Sequence, residues 1–238
     1  IDPERRIGYV RITSFEQVTP KQFDDVLSTL LNRQHMRGLV LDLRDNPGGL
    51  LDAVVAIANR FLADGPIVTI RYRSRQEQAY QANGDHTCPD FPLAILINRG
   101  SASASEILAG ALRDRGRAEL VGERSFGKGS VQELIDIPGI AGLDGAVKLT
   151  IAYYYLPQGQ RIHGTGVTPD KEVSLTAEQQ EAMNDSWRQV YITEGLPSVT
   201  RPTTDSAPQR RAIMIDPQLQ AALNGVGEKL DASFRATK

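Results

Sequence analysis

The sequence predicts an α/β fold on a largely parallel sheet, and three observations predict it. Residues 39–43 (LVLDL) and Leu93–Ile97 are short, almost wholly apolar runs, the composition of strands covered on both faces. Each is followed by a turn and then by apolar residues at helical spacing: Leu51, Val54, Val55 and Ala58 after the first, Ile107, Leu108, Ala111 and Leu112 after the second. The repeating order of strand, helix, strand calls for right-handed crossovers, which lay helices over parallel strands.

Residues 7–15 (IGYVRITSF) alternate like a half-buried strand. Thr19-Pro20 reads as an N-cap with a first-turn proline, and Phe23, Val26, Leu27, Leu30 and Leu31 form one apolar helical stripe. Gly38 closes that connection, and Asn46-Pro47-Gly48-Gly49 breaks the strand at 39–43 before a helix reaching Leu62. A strand at 67–72, a polar irregular stretch at 74–92 and a strand at 118–121 follow in turn. Residues 131–137 and 147–155 read as strands on either side of PGIAGLDG. Thr176-x-x-Gln179 is a capping box for a helix reaching about residue 191. The expected organisation is a core at 1–175, with a cap portion at about 1–35 and a catalytic portion at about 36–175. A helix at 176–195, a Pro/Ser/Thr-rich linker at 196–211 and a segment at 212–238 complete it, the last holding a short helix capped by Asp216-Pro217.

Twenty-seven basic and 29 acidic residues leave a net charge of −2, without the cationic excess that nucleic acid selects. The one cysteine, Cys88, excludes an internal disulfide and any multi-cysteine metal cluster. No run of 18 apolar residues occurs. The chain opens at Ile1, and a signal peptide or an upstream domain is expected before it.

Ligands of open parallel sheets bind beyond the carboxyl ends of the strands. Two such ends carry unusual sequence, Asn46-Pro47-Gly48-Gly49 and Gly100-Ser101-Ala102-Ser103-Ala104-Ser105. Both lead into a helix N-terminus, whose free N–H groups favour an anion, and paired glycines admit a substrate without a Cβ in the way. Gly48-Gly49 also reads as a plain tight turn, and Ser103-x-x-Glu106 as a capping box, so a nucleophile and a cap compete for one hydroxyl.

A serine needs a base to become a nucleophile. His35, His86 and His163 sit in helix-end, loop and turn settings, which gives a Ser-His-Asp triad little support. Lysine is the other option. Ser125-Phe126-Gly127-Lys128-Gly129-Ser130-Val131-Gln132 sets Lys128 between two glycines, just past the strand at 118–121. Burial can lower a lysine pKa to about 7–8 and make it a base. In an extended segment Gln132 shares a face with Lys128 and can orient its amine. An exposed turn lysine is the plainer reading.

The motifs GYVRITSF, LVLDLRDNPGG, GSASASEILAGALRD, VGERSFGKGSVQ and PQGQRIHGTGVTPD, in that order, resemble the C-terminal processing peptidases, or tail-specific proteases. The resemblance runs from about Ile7 to Val173, with DPQLQAAL near the end as an addition. It implies a Clp-protease/crotonase-like core and a Ser-Lys dyad, with Ser103 as nucleophile, Lys128 as general base and Gln132 orienting the lysine. It also implies an oxyanion hole from the backbone N–H groups of Gly48 and Ala104. No metal or organic cofactor is implied. The implied partner is a protein or peptide with an apolar C-terminal tail, and an adaptor or a homo-oligomer is compatible with it. The implied compartment is extracytoplasmic, in the periplasm or cell envelope. The family carries a peptide-binding PDZ domain upstream of the GYVRI strand, where this chain begins. The rival readings are a crotonase-type acyl-CoA enzyme, which could draw on Asp45 and Glu106 but leaves Lys128 idle, and a non-catalytic binding relative of the same fold.

Overall fold

The computed structural model describes residues 2–84, 87–140, 143–194 and 215–236. In chain order the elements are β1 (Ile7–Arg11), α1 (Thr19–Asn32), β2 (Gly38–Asp42), α2 (Leu51–Ala58), β3 (Pro66–Tyr72), β4 (Gln78–Gln81) and β5 (Leu93–Ile97). Then come α3 (Ala104–Asp114), β6 (Glu119–Gly122), β7 (Ser130–Ile140), β8 (Leu143–Tyr155), β9 (Lys171–Glu172), α4 (Ala177–Glu194) and α5 (Pro217–Ala236).

Five strands form an all-parallel sheet in the order β1-β2-β5-β6-β9. Side-chain alternation divides its core between two faces. Leu39, Leu41, Leu43, Ile95 and Ile97 point to one face and pack with Phe23, Leu27, Val54, Ile57, Leu108 and Leu112 of α1, α2 and α3. Val40, Ala94 and Leu96 point to the other and pack with Met183, Trp187, Leu219, Leu223 and Val226 of α4 and α5. The apolar runs at β2 and β5 are therefore sandwiched strands, as their composition predicts.

The strand expected at 67–72 leaves this sheet. It joins an antiparallel one ordered β4-β3-β8-β7. Exposed Arg71 and half-buried Thr69 give β3 a wetter face that the parallel sheet could not tolerate. β4 lies in the stretch read as irregular. Its Gln-Ala-Tyr-Gln sequence has little intrinsic strand preference, and pairing with β3 makes it a strand. Val18, not Thr19, is the N-cap of α1; the Thr19 hydroxyl instead accepts the Glu16 N–H at 2.9 Å. The Thr176 box forms in both directions, with Thr176 N–H to Gln179 Oε1 at 2.9 Å and Gln179 N–H to Thr176 Oγ1 at 3.2 Å.

The last helix is not short. α5 runs 20 residues and buries Leu219, Ala222, Leu223, Val226 and Leu230 against the sheet. Gly225 and Gly227 inside it hide the pattern in sequence, since a mid-helix glycine costs about 1 kcal/mol relative to alanine. The linker expected at 196–211 lies outside the described residues, as does His86.

Candidate active site

Two loops meet beyond the carboxyl ends of β2 and β5. The outer serines of the triplet are fixed and fully buried. Ser101 Oγ donates to Leu43 O at 2.8 Å and accepts the Asn98 N–H at 3.0 Å. Ser105 Oγ donates to Asn46 O at 3.0 Å. Ser103 alone of the three is partly open to solvent. It caps α3 at φ 56° and ψ −114°, a backbone conformation that an L-residue holds at a cost of about 1–3 kcal/mol.

Ser103 and Glu106 do form the capping box. Its firm half is the Ser103 N–H donated to Glu106 Oε2 at 2.8 Å. Glu106 is fully buried and does more than cap. The same Oε2 accepts the Lys128 N–H at 2.8 Å, while Oε1 accepts the Gly127 N–H at 2.7 Å and the Ser125 hydroxyl. One carboxylate thus fastens the main chain of Ser103 to that of Lys128. The Lys128 loop is held from its far side too. Gly127 O accepts the Gly164 N–H at 3.0 Å, and Gly129 O accepts the Tyr154 N–H at 2.8 Å.

Two expectations need correction. The burial that would make Lys128 a base is not present: the residue is exposed, as a plain turn lysine would be, and its neighbour Phe126 is 68 % exposed and does not cover it. No hydrogen bond joins Lys128 to the side chain of Ser103 or of Gln132 among the described residues. Gln132, likewise exposed, lies on β7, the edge strand of its sheet. Gly48 was expected to offer a free N–H, yet this group donates to Asn46 Oδ1 at 2.9 Å. Asn46 explains the geometry. Fully buried, it donates from Nδ2 to Ile12 O at 2.7 Å and accepts the Ala102 N–H at its backbone oxygen at 2.9 Å. A turn closed by its own side chain holds the Gly48 amide inward. The next amide along, that of exposed Gly49, has no protein acceptor among the described residues, nor has Ala104 at the first position of α3.

Gly48 is nevertheless against the nucleophile candidate. A Cβ on it would lie 2.7 Å from Ala102 O and 2.8 Å from Ser103 Cβ. His35, His163 and Ser103 share no hydrogen bond among the described residues.

Sequence reasoning missed what stands behind the loops. Asp42, the last residue of β2, and Arg44, two residues beyond it, both face α5. The Arg44 guanidinium contacts both oxygens of Asp42, at 2.6 Å from Nη2, and grips Asp216 with two bonds of 2.8 and 3.0 Å. Tyr9 donates its hydroxyl to Asp42 at 2.7 Å. Burial alone would raise the Asp42 carboxyl, but the Arg44 charge and hydrogen bonds outweigh it and hold the group below its ordinary value. A carboxyl depressed by folding stabilises the fold at neutral pH, and the stabilisation is lost as pH falls below about 4 and through the folded value. The urea midpoint is therefore expected to fall between about pH 5 and 2. Asp42→Asn should start lower at pH 7 and fall less; an equally steep acid limb in that variant excludes Asp42 as the source.

A strained serine at a helix start, a lysine loop tied to it through Glu106 and the unengaged amides of Gly49 and Ala104 gather at one end of a parallel α/β core. The chain belongs to peptidase family S41, whose model matches residues 6–173. It is 44% identical over 174 residues to the carboxy-terminal-processing protease of Bartonella bacilliformis, covering 70% of this chain and 38% of that one. It is 43% identical over 171 residues to the carboxyl-terminal-processing protease of Synechocystis sp., covering 72% and 39%. The solved photosystem II D1 C-terminal processing protease superposes with a TM-score of 0.61 at 40% identity, over 70% of this chain and 42% of that one. The chain thus spans about two-fifths of the length of the curated relatives it matches.

Proposed function

We propose that this chain carries the catalytic core of a serine endopeptidase that cleaves near the C-terminus of protein substrates, by attack of Ser103 with Lys128 as general base. The observation that supports it most is the Glu106 carboxylate, which holds the Ser103 and Lys128 backbones to one oxygen at 2.8 Å each. A turn about χ1 releases the Ser103 hydroxyl from its capping role, a rotation that partly exposed side chains make in picoseconds to nanoseconds. Lys128 takes the hydroxyl proton as Oγ attacks the scissile carbonyl, then delivers it to the leaving amine; water resolves the acyl-enzyme. Gln132 orients the amine.

The amide of Ala104 and one amide of the Gly48–Gly49 turn receive the developing oxyanion. Because Asn46 engages the Gly48 N–H, Gly49 is the better donor. One such donor is worth about 2.7–4 kcal/mol of barrier. The substrate enters extended and adds to the free edge of β7, which begins two residues past Lys128. An apolar substrate tail, an extracytoplasmic compartment and a companion PDZ domain, adaptor or second copy belong to this reading through the family; no helix among the described residues is long and apolar enough to cross a membrane.

The test incubates the intact protein, Ser103→Ala and Lys128→Ala with a peptide bearing a free apolar C-terminus and follows products by mass spectrometry. Cleavage is expected from the intact protein alone. Cleavage that survives in Lys128→Ala removes the lysine from the mechanism.

A further inference from the structure

We propose that α5 is a working part of the active site, with Asp216 as a positioning residue for the loop that presents the oxyanion amides. What that loop does rests on the peptidase reading; that Asp216 holds it rests on contacts of its own.

Asp216, Gln218, Met183 and Trp187 all lie beyond residue 173, where the family match ends. They converge on Arg44. Its Nη1 donates to Asp216 Oδ1 at 3.0 Å and to Gln218 Oε1 at 3.1 Å, and meets Met183 Sδ at 3.5 Å. Asp216 in turn caps α5, accepting the Leu219 N–H at 2.9 Å, and receives Trp187 Nε1 at 3.5 Å. Gln218 reaches Val173 O at 2.8 Å. Two carboxylates and one guanidinium are thus closed off from water, all at most 4 % exposed. A buried guanidinium deprived of one partner has no water to replace it.

The coupling follows from where Arg44 stands in the chain. It opens the loop that runs through Asn46, Gly48 and Gly49, and its own N–H donates to Asp42 Oδ1 at 2.9 Å. Asp45 follows at φ 59°, its N–H on Asn98 Oδ1 at 2.9 Å. That same Asn98 oxygen accepts the Gly100 N–H at 3.0 Å, at the entry to the serine triplet. The clamp on Arg44 and the placement of both loops are successive links of one hydrogen-bonded path. Displacements of about 1 Å in such a site lower rates about a hundredfold.

Asp216→Asn in the full chain separates positioning from stability, because asparagine caps a helix as well as aspartate does but turns an amide against Arg44. The expected result is a fall in kcat of about tenfold or more with KM within about twofold, the signature of a group acting only at the transition state. Amide exchange should accelerate across residues 43–50 and stay unchanged in β5 and α3. Unchanged kcat and unchanged loop exchange, with only a lower melting temperature, overturn the proposal. If Asp216→Asn does not fold, Gln218→Met withdraws one acceptor from Arg44 and the donor to Val173 O, and leaves both carboxylates in place. A severalfold loss of kcat with the same exchange pattern is then expected, and no change in either measurement overturns the proposal. The two readings fail differently. Intact protein that cleaves nothing refutes the peptidase, while loop exchange reports on Asp216 whether or not a peptide is cut.

Discussion

Glu106→Ala is expected to abolish peptide cleavage and to remove several kcal/mol of stability. The carboxylate is fully buried and accepts four donors: the N–H groups of Ser103, Gly127 and Lys128 and the hydroxyl of Ser125. Each buried donor left without an acceptor costs roughly 1–3 kcal/mol. Against a typical domain stability of about 5–15 kcal/mol, the total is severe. Glu106→Gln sharpens the test. It keeps one oxygen and turns an amide toward two of the donors, so a loss between those of wild type and alanine is expected in both urea midpoint and kcat. If glutamine keeps full stability but loses activity, the negative charge itself acts in catalysis. If both variants cleave normally, the two catalytic loops do not depend on this tie.

Glu106 also shows how far the sequence could be read. Its spacing from Ser103 announces a capping box, and the box is present. That the second oxygen of the same side chain gathers a loop some twenty residues away is tertiary information, which no local pattern carries. The same division holds elsewhere. The sandwiched strands β2 and β5 were legible because burial on both faces leaves an unbroken apolar run. β4 was not, since its pairing with β3 supplies what its composition lacks. The three serines looked equivalent in one dimension; packing buries Ser101 and Ser105 against the neighbouring loop and leaves Ser103 partly open. Asp42, Arg44 and Asp216 escaped notice because Asp216, which completes the cluster, stands 172 residues from Arg44 in the sequence. Whether Lys128 is exposed or buried stayed open in the sequence, because flanking glycines permit an inward side chain but do not require one.

Gly48→Ala carries the other large effect and tests the geometry at the nucleophile itself. Gly48 sits at φ +102°, where L-residues are rarely found, and a Cβ there would meet Ala102 O, Ser103 Cβ and Ala104 N at 2.7, 2.8 and 2.9 Å. Two of these are backbone atoms, so no side-chain rotation relieves the contact, and the serine must move. Gly116→Ala provides the control. Its φ of +66° is also positive, but nothing lies within 4 Å of the added carbon. Both variants bear the backbone cost of a non-glycine residue at positive φ, about 1 kcal/mol or more, and only Gly48→Ala displaces Ser103. The expected outcome is a kcat lower by at least about a hundredfold for Gly48→Ala and unchanged for Gly116→Ala, with both melting temperatures reduced. Wild-type kcat in a folded Gly48→Ala protein would mean that the loop yields without moving the serine, and that Gly48 is a turn residue with no bearing on the oxyanion.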